Sequence, residues 1–238
     1  MLTMDIIAEG HSKIIYQTPD NNRIEMYFKD TATAFHNIKR AKIIGKGQYV
    51  NKISAFLFQQ LKTAGVDNHF IETIDDRRML CLKTEVLPLR VIVRNSAAGS
   101  VCARFGIKEG TVFSEPVYEM NYKSETLDNP FLNEHMAVAF GFVTHDEMAL
   151  ISHIAHQANK VLTEVFNKCG ISLVDFKLEF GRLSNGTLII ADEISPDTCR
   201  LVDKATGTHL DKDRFRHDMG DIINAYQTVL TRLNYGRL

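Results

Sequence analysis

Residues 173–193, LVDFKLEFGRLSNGTLIIADE, decide the fold of this chain. Two runs rich in Val, Ile, Leu and Phe flank Asn185-Gly186, so the stretch reads as a β-hairpin closed by a two-residue type I′ turn. Strand alternation predicts Asp175, Lys177 and Glu179 on one face and Val174, Phe176, Leu178 and Phe180 on the other. One face is ionic and the other is core. With Ser184 facing Thr187, the same register sets Glu179 directly opposite Asp192. Carboxylates facing each other across a ladder have Cβ atoms roughly 4.5–5.5 Å apart, and they repel unless a cation intervenes. Mg²⁺ takes one or two carboxylates together with substrate phosphates, which makes Glu179 and Asp192 candidate ligands for a metal that carries ATP. A charge cluster compensated by Lys177 is the competing reading, because a one-residue slip would separate the pair.

Outward from the hairpin lie three further clusters. Downstream, SPDTCR (195–200) offers Asp197 and Arg200 on a turn opened by proline. Upstream, VIVRNSAAGSVCARFG (91–106) reads as a strand ending at Arg94, with small residues leading into a helix that begins near Gly99-Ser100. Exposed N–H groups at such a turn, with an Arg for bidentate charge, suit a phosphate. At the N-terminus EGHSK (9–13) places Gly10 and Lys13 in a turn that could lie over phosphates, although the GxxxxGK[ST] pattern is absent. Each of these three, taken alone, also reads as an ordinary polar loop.

The rest of the chain is scaffold. IIAEG, KIIYQT and IEMYF predict a small antiparallel sheet, and VNKISAFLFQQLKTAG a helix with Ile53, Phe56, Leu57 and Leu61 inward, stopping at Gly65. MLCLKTEVLPLRVIVRN reads as a strand, a crossing point and a second strand. THDE (144–147) is a capping box that opens a helix ended by Gly170, with Met148, Ile151, Ala155, Leu162, Val165 and Phe166 buried. A last helix is expected to bury Phe215, Met219, Ile222, Tyr226, Val229 and Leu233. His153 and His156, one helical turn apart, share a face with Gln157, Lys160 and Glu164 and read as a solvated surface.

Composition narrows the function. With 238 residues, 45% hydrophobic, the chain can bury a full core. Its 28 basic and 29 acidic residues give a net charge of -1 and form no basic arm, so neither nucleic acid nor a membrane surface is an expected partner. No apolar run approaches the ~18 residues that span a bilayer, and no signal layout opens the chain, which points to the cytoplasm. Cys81, Cys102, Cys169 and Cys199 are scattered without a CxxC, as expected of reduced thiols.

Taken together, LPLRVIVRNSAAGS (87–100), LVDFKLEFG (173–181), ADEISPDTCRL (191–201) and DKDRFR (211–216) resemble, in this order and spacing, the phosphoribosylaminoimidazole-succinocarboxamide synthase (SAICAR synthetase) family. The likeness runs nearly end to end. It implies a two-lobed α+β fold with a kinase-like or ATP-grasp-like nucleotide cleft and antiparallel sheets packed with helices. Residues 1–85 would form an N-terminal nucleotide-covering lobe and residues 86–238 a C-terminal lobe for substrate and metal. The implied activity is a ligase that phosphorylates the carboxylate of carboxyaminoimidazole ribonucleotide with ATP and lets L-aspartate displace the phosphate. By resemblance, Glu179 and Asp192 hold Mg²⁺-ATP, Gly10, His11 and Lys13 cover the phosphates, and Leu82, Lys83 and Glu85 meet adenine. Arg94, Ser100 and Arg200 would grip the ribonucleotide phosphate, while Asp175, Lys177 and Asp197 orient its carboxylate and ribose. A homodimer is also implied.

Four positions depart from the family pattern: His11 stands where Lys is usual, Arg90 for Glu, Val202 for Trp, and Asn129 for an Asp before Pro130. His11 and Arg90 motivate an alternative, a nucleotide-binding paralogue acting as a sensor. A kinase reading lacks the HRD and DFG elements.

Overall fold

The computed structural model describes residues 5–35 and 38–235. The first part of the chain forms β1 (Ile6–Glu9), β2 (Lys13–Gln17), β3 (Arg23–Phe28), β4 (Thr31–Ala34), β5 (Lys39–Lys42), α1 (Lys46–Thr63), β6 (Phe70–Asp75) and β7 (Arg78–Leu82). There follow β8 (Glu85–Val86), β9 (Leu89–Ser96), α2 (Ser100–Phe105), β10 (Val112–Tyr122), β11 (Phe131–Leu132), α3 (Glu134–Ala139) and α4 (His145–Lys168). The chain closes with β12 (Ile171–Arg182), β13 (Leu188–Ala191), β14 (Cys199–Asp203), α5 (Asp213–Arg216) and α6 (Ile222–Tyr235). No helix among the described residues is long and apolar enough to cross a membrane.

The fold is α+β with antiparallel sheets. One five-stranded sheet runs in the order β1-β2-β3-β7-β6, and a seven-stranded sheet runs β11-β10-β9-β12-β13, with β8 and β14 also pairing β12. The long strand β12 is the hub. Its first half pairs β14 and β9, and its last residues turn to β13 and β8. Gly181 permits that change of neighbour, since a Cβ there would lie 2.6 Å from the Thr84 side chain.

One apolar cluster serves both sheets. Val50, Ile53, Leu57, Phe58 and Leu61 of α1 join Ile151, Ala155, Leu162 and Phe166 of α4 and Tyr226, Val229 and Leu233 of α6. The α1 helix packs against both α4 and α6, so the first stretch of chain is keyed into the second. The capping box of α4 is formed: Thr144 Oγ1 accepts the Glu147 N–H at 3.1 Å, and Glu147 Oε2 accepts the Thr144 N–H at 2.8 Å. His153 and His156 are exposed on α4, with His156 stacked on Tyr118.

Three details differ from expectation. The hairpin closes with Leu183 N–H donating to Thr187 O at 2.9 Å and Gly186 N–H donating to Leu183 O at 2.9 Å, so Ser184-Asn185-Gly186 is a three-residue loop. A type I′ turn needs positive φ at both central residues, but here only Gly186 is left-handed (φ 84), and the Asn185 side chain instead accepts the Thr187 N–H at 3.0 Å. Glu179 therefore faces Ala191 rather than Asp192. Second, a β-bulge between Leu173 and Asp175 puts Leu173 in the core and leaves Val174 outside it. Third, the last helix is broken. Asp218, Gly220 and Asp221 all have positive φ, which detaches Phe215 and Met219 from the α6 stripe and leaves Met219 exposed.

Candidate active site

The ionic face of β12 opens into a cleft of about 880 Å³. At one end, β9, β12 and β14 set Arg94, Asp175 and Arg200 side by side in register. Asp175 Oδ2 accepts from Arg200 Nη1 at 2.7 Å and also from Arg94. Arg94 donates further to Glu119 Oε2 at 3.0 Å, Ser100 Oγ at 2.9 Å and the Ala98 carbonyl at 3.1 Å. Its side chain is only 2% exposed. Arg94 is thus a buried organiser, and the more exposed guanidiniums lining this end are those of Arg104, Arg200 and Arg216. Arg200 is anchored a second time by Asp213, at 2.8 Å. Gly99 lets it lie flat on the backbone, since a Cβ there would stand 2.6 Å from Arg200 Nη2.

The other end is built from lysines. Lys177 Nζ donates to Glu179 Oε1 at 2.7 Å and to Asp192 Oδ2 at 2.9 Å. Lys123 pairs with Glu179, while Lys13 pairs with Asp192 and, at 2.8 Å, with Glu193 Oε1. The result is an unbroken alternation: Lys123, Glu179, Lys177, Asp192, Lys13, Glu193. Burial opposes ionisation of Asp192, yet Lys13 and Lys177 hold its carboxyl well below the usual range. Burial likewise pulls Lys177 down, and Asp192 and Glu179 outweigh it so that the ammonium is more firmly protonated than usual. Lys177 is therefore a fixed charge and not a proton acceptor at neutral pH.

Asp192 reaches this cluster without facing Glu179 across the ladder. At φ 64 its backbone is left-handed, which re-aims its side chain away from the core as the strand ends. His69 secures the turn, with Nε2 at 2.9 Å from the Asp192 carbonyl oxygen. Burial lowers His69 to about 4, so it is neutral and donates through that nitrogen.

Gly10, His11, Lys13, Arg94, Ser100, Asp175, Lys177, Glu179, Asp192, Asp197 and Arg200 all line the one cleft. Leu82, Lys83 and Glu85 are not among its lining residues. Lys83 Nζ donates to Gln17 Oε1 at 3.2 Å, and Glu85 is exposed on β8 opposite Arg182. Asp197 is held by Lys46 at 2.5 Å and by the Tyr226 hydroxyl at 2.5 Å. His11 Nε2 lies 3.1 Å from Glu125 Oε2, joining the N-terminal turn to the far lip of the cleft.

Sequence reasoning missed Lys123, Glu193, Arg104, Lys212 and Arg216, which also line the cleft. For Asp213 and Arg216 the i,i+3 spacing in DKDRFR was a usable signal. For Lys123 there was none, because its partner Glu179 is distant in sequence.

A family model described as SAICAR synthetase matches residues 6–233. The phosphoribosylaminoimidazole-succinocarboxamide synthase of Clostridium botulinum strain Hall is 49% identical over 230 residues, covering 97% of this chain and 98% of that protein. A crystal structure of the synthase from Ehrlichia chaffeensis matches with a TM-score of 0.95 at 42% identity, covering 97% of this chain and 98% of the other. A structure of a SAICAR synthetase in complex with ADP matches with a TM-score of 0.92 at 42% identity, covering 95% and 96% of the two chains. Matched from its first strand to its last helix in both sequence and fold, the chain belongs to the SAICAR synthetase family.

Proposed function

We propose that this chain joins L-aspartate to the carboxylate of carboxyaminoimidazole ribonucleotide at the expense of ATP, giving SAICAR, ADP and phosphate. The observation that carries this reading is the alternation of Lys123, Glu179, Lys177, Asp192, Lys13 and Glu193 along one end of the cleft. Such an array can receive a polyphosphate and its cation by exchanging partners. Glu179 and Asp192 already share the Lys177 ammonium, so the pair is arranged around positive charge, and two hard carboxylates fit Mg²⁺. Bound there with ATP, Mg²⁺ would supply neutralisation of charge on the transferring phosphoryl group.

The protein's own residues do the remaining work by position and charge. A ribonucleotide carboxylate oxygen attacks the γ-phosphorus as the bond to ADP breaks, forming an acyl phosphate. The aspartate nitrogen then bonds to the acyl carbon as the carbon–oxygen bond to phosphate breaks. Phosphate leaves with the electron pair, and the nitrogen gives up a proton. Lys177 and Lys13 offset the charge that develops on the phosphoryl oxygens, and Gly10 and His11 lie over them. Ser100 and Arg200 take the ribonucleotide phosphate, with Arg94 fixing Arg200 through Asp175. Asp197 orients the ribose.

Free cysteines at Cys81, Cys102, Cys169 and Cys199 support a place in the reducing cytosol. Exposed Phe140 and Leu150 are available to a homodimer, which light scattering tests. The activity is tested by a coupled assay of ADP release. Release that requires both the ribonucleotide and L-aspartate is expected; ADP release without aspartate, or ATP binding without turnover, would refute the proposal.

A further inference from the structure

Ion pairing accounts for nearly every cation that lines the cleft. Lys13, Lys123 and Lys177 are matched by Glu193, Asp192 and Glu179, and Arg94, Arg104, Arg200 and Arg216 by Asp175, Glu119 and Asp213. Among the described residues, Arg90 and Lys212 line the cleft without such a partner. Lys212 belongs to the arginine end, near Arg216 and Asp197. Arg90 stands alone at the other. It is half-buried, and its Nε is buried with no hydrogen-bond acceptor. A guanidinium placed this way asks for an anion.

A second unmatched atom lines the same cleft. Asn129, also lining the cleft, has its Oδ1 buried and without a donor. The two are linked through Asn121, which is the cross-strand partner of Arg90 and donates from Nδ2 to the Asn129 carbonyl at 3.0 Å. An unsatisfied cationic donor and an unsatisfied acceptor lining one cleft are together a poor match for a phosphate, which would leave the acceptor unpaired. It matches a ligand that carries both a carboxylate and an N–H group.

Position narrows the choice further. Arg90 and Arg94 share a face of β9, four residues apart, or roughly 13 Å. The ribonucleotide phosphate site at Arg200 is therefore distant. Continuing the register in which Leu178 faces Val91 brings Glu179 abreast of Arg90, so this corner adjoins the end assigned to phosphoryl transfer. A nucleophile must approach there. We infer, on the basis of the ligase reading above, that Arg90 and Asn129 form the subsite of the amino-acid substrate, with Arg90 taking a carboxylate of L-aspartate and Asn129 Oδ1 accepting a hydrogen from its amine.

The test is steady-state kinetics on the full chain with each substrate varied in turn. Arg90→Met should raise the KM for L-aspartate at least tenfold while those for ATP and the ribonucleotide stay within twofold. Preference for aspartate over alanine should fall at least tenfold. Asn129→Ala should raise the aspartate KM alone by a smaller factor, and Arg90→Lys, which keeps the charge and loses the fork, should fall between wild type and Arg90→Met. Calorimetry with succinate, a dicarboxylate without the amine, gives a readout free of turnover: binding to the wild type with ADP and ribonucleotide present, and loss of it in either Arg90 variant. An unchanged aspartate KM, or a rise confined to the ribonucleotide, would overturn the assignment. Wild-type protein with no aspartate-dependent turnover would instead overturn the ligase reading, which separates the two failures.

Discussion

The cleft pairs its carboxylates with lysines at one end and with arginines at the other, and the arginine end is built around one residue, Arg94, held far more firmly than any of the lysines. Side-chain exposure is 16% for Lys13, 25% for Lys177 and 37% for Lys123, against 2% for Arg94. An ammonium on a flexible stem can leave one carboxylate for a phosphate oxygen without losing its geometry. The guanidinium of Arg94, locked by Asp175, Glu119, Ser100 and a backbone carbonyl, has no such freedom. Charge in the lysine array is exchangeable, while charge at Arg94 is framework; Arg200, Arg216 and Arg104, with side chains 21%, 29% and 33% exposed, are as open as the lysines. A single cleft can thus pre-organise one substrate and still admit a cation and a polyphosphate.

The sharpest way to break this contrast is Arg94→Met, which leaves Asp175 and Glu119 buried without their main partner. We expect about 3–5 kcal/mol of lost stability by chemical denaturation. Undiminished stability with only a raised ribonucleotide KM would make Arg94 as exchangeable as the lysines. Next come Glu179→Gln and Asp192→Asn, each expected to lower kcat roughly 100-fold or more with native circular dichroism; full turnover in both would remove them from the metal role. Arg200→Ala, at the solvent-facing edge of the framework, should raise the ribonucleotide KM roughly tenfold, the effect of one charged hydrogen bond. An unchanged KM would move the phosphate elsewhere.

Two smaller effects calibrate the comparison. Outside the cleft, Arg182 and the Thr144 N–H lower the Glu147 carboxyl from 4.5 to about 2, so this contact stabilises the fold fully above pH 4.5 and fades as pH falls toward 2. Glu147→Gln should cost about 1 kcal/mol at neutral pH, with the gap to wild type closing below pH 4.5 in acid denaturation. A gap that is constant with pH would deny the charge its part. Smallest of all, His11→Lys restores a permanent charge to the N-terminal turn and should lower the ATP KM by about two- to fivefold. No change would mean that Lys13 suffices.

What was legible in the sequence was whatever depends on local periodicity. Asp175, Lys177 and Glu179 share a face because strands have period two, and Thr144 caps α4 because its partner is three residues away. What was hidden depends on neighbours distant in the chain. Asn-Gly serves both a type I′ turn and a three-residue loop, and the choice between them moved the whole register by one. The bulge at Val174 answers to β14, and the break before α6 to three left-handed residues that interrupt an otherwise continuous apolar stripe. Reading Arg94 as the end of a strand beside a phosphate-binding turn did not reveal that four partners bury it. Leu82, Lys83 and Glu85 run from the end of β7 to the start of β8, and they do not line the cleft that holds the other predicted residues.

The left-handed backbone of Asp192 carries a consequence for descent. Of the other residues, glycine and asparagine adopt that conformation most readily, and aspartate and asparagine codons differ by one base. The replacement that disturbs the chain least is therefore also one that neutralises the carboxylate proposed to receive the metal. If Asp192 has the proposed role, a well-folded chain without activity lies one nucleotide away, and its loss of activity would leave no trace in the fold.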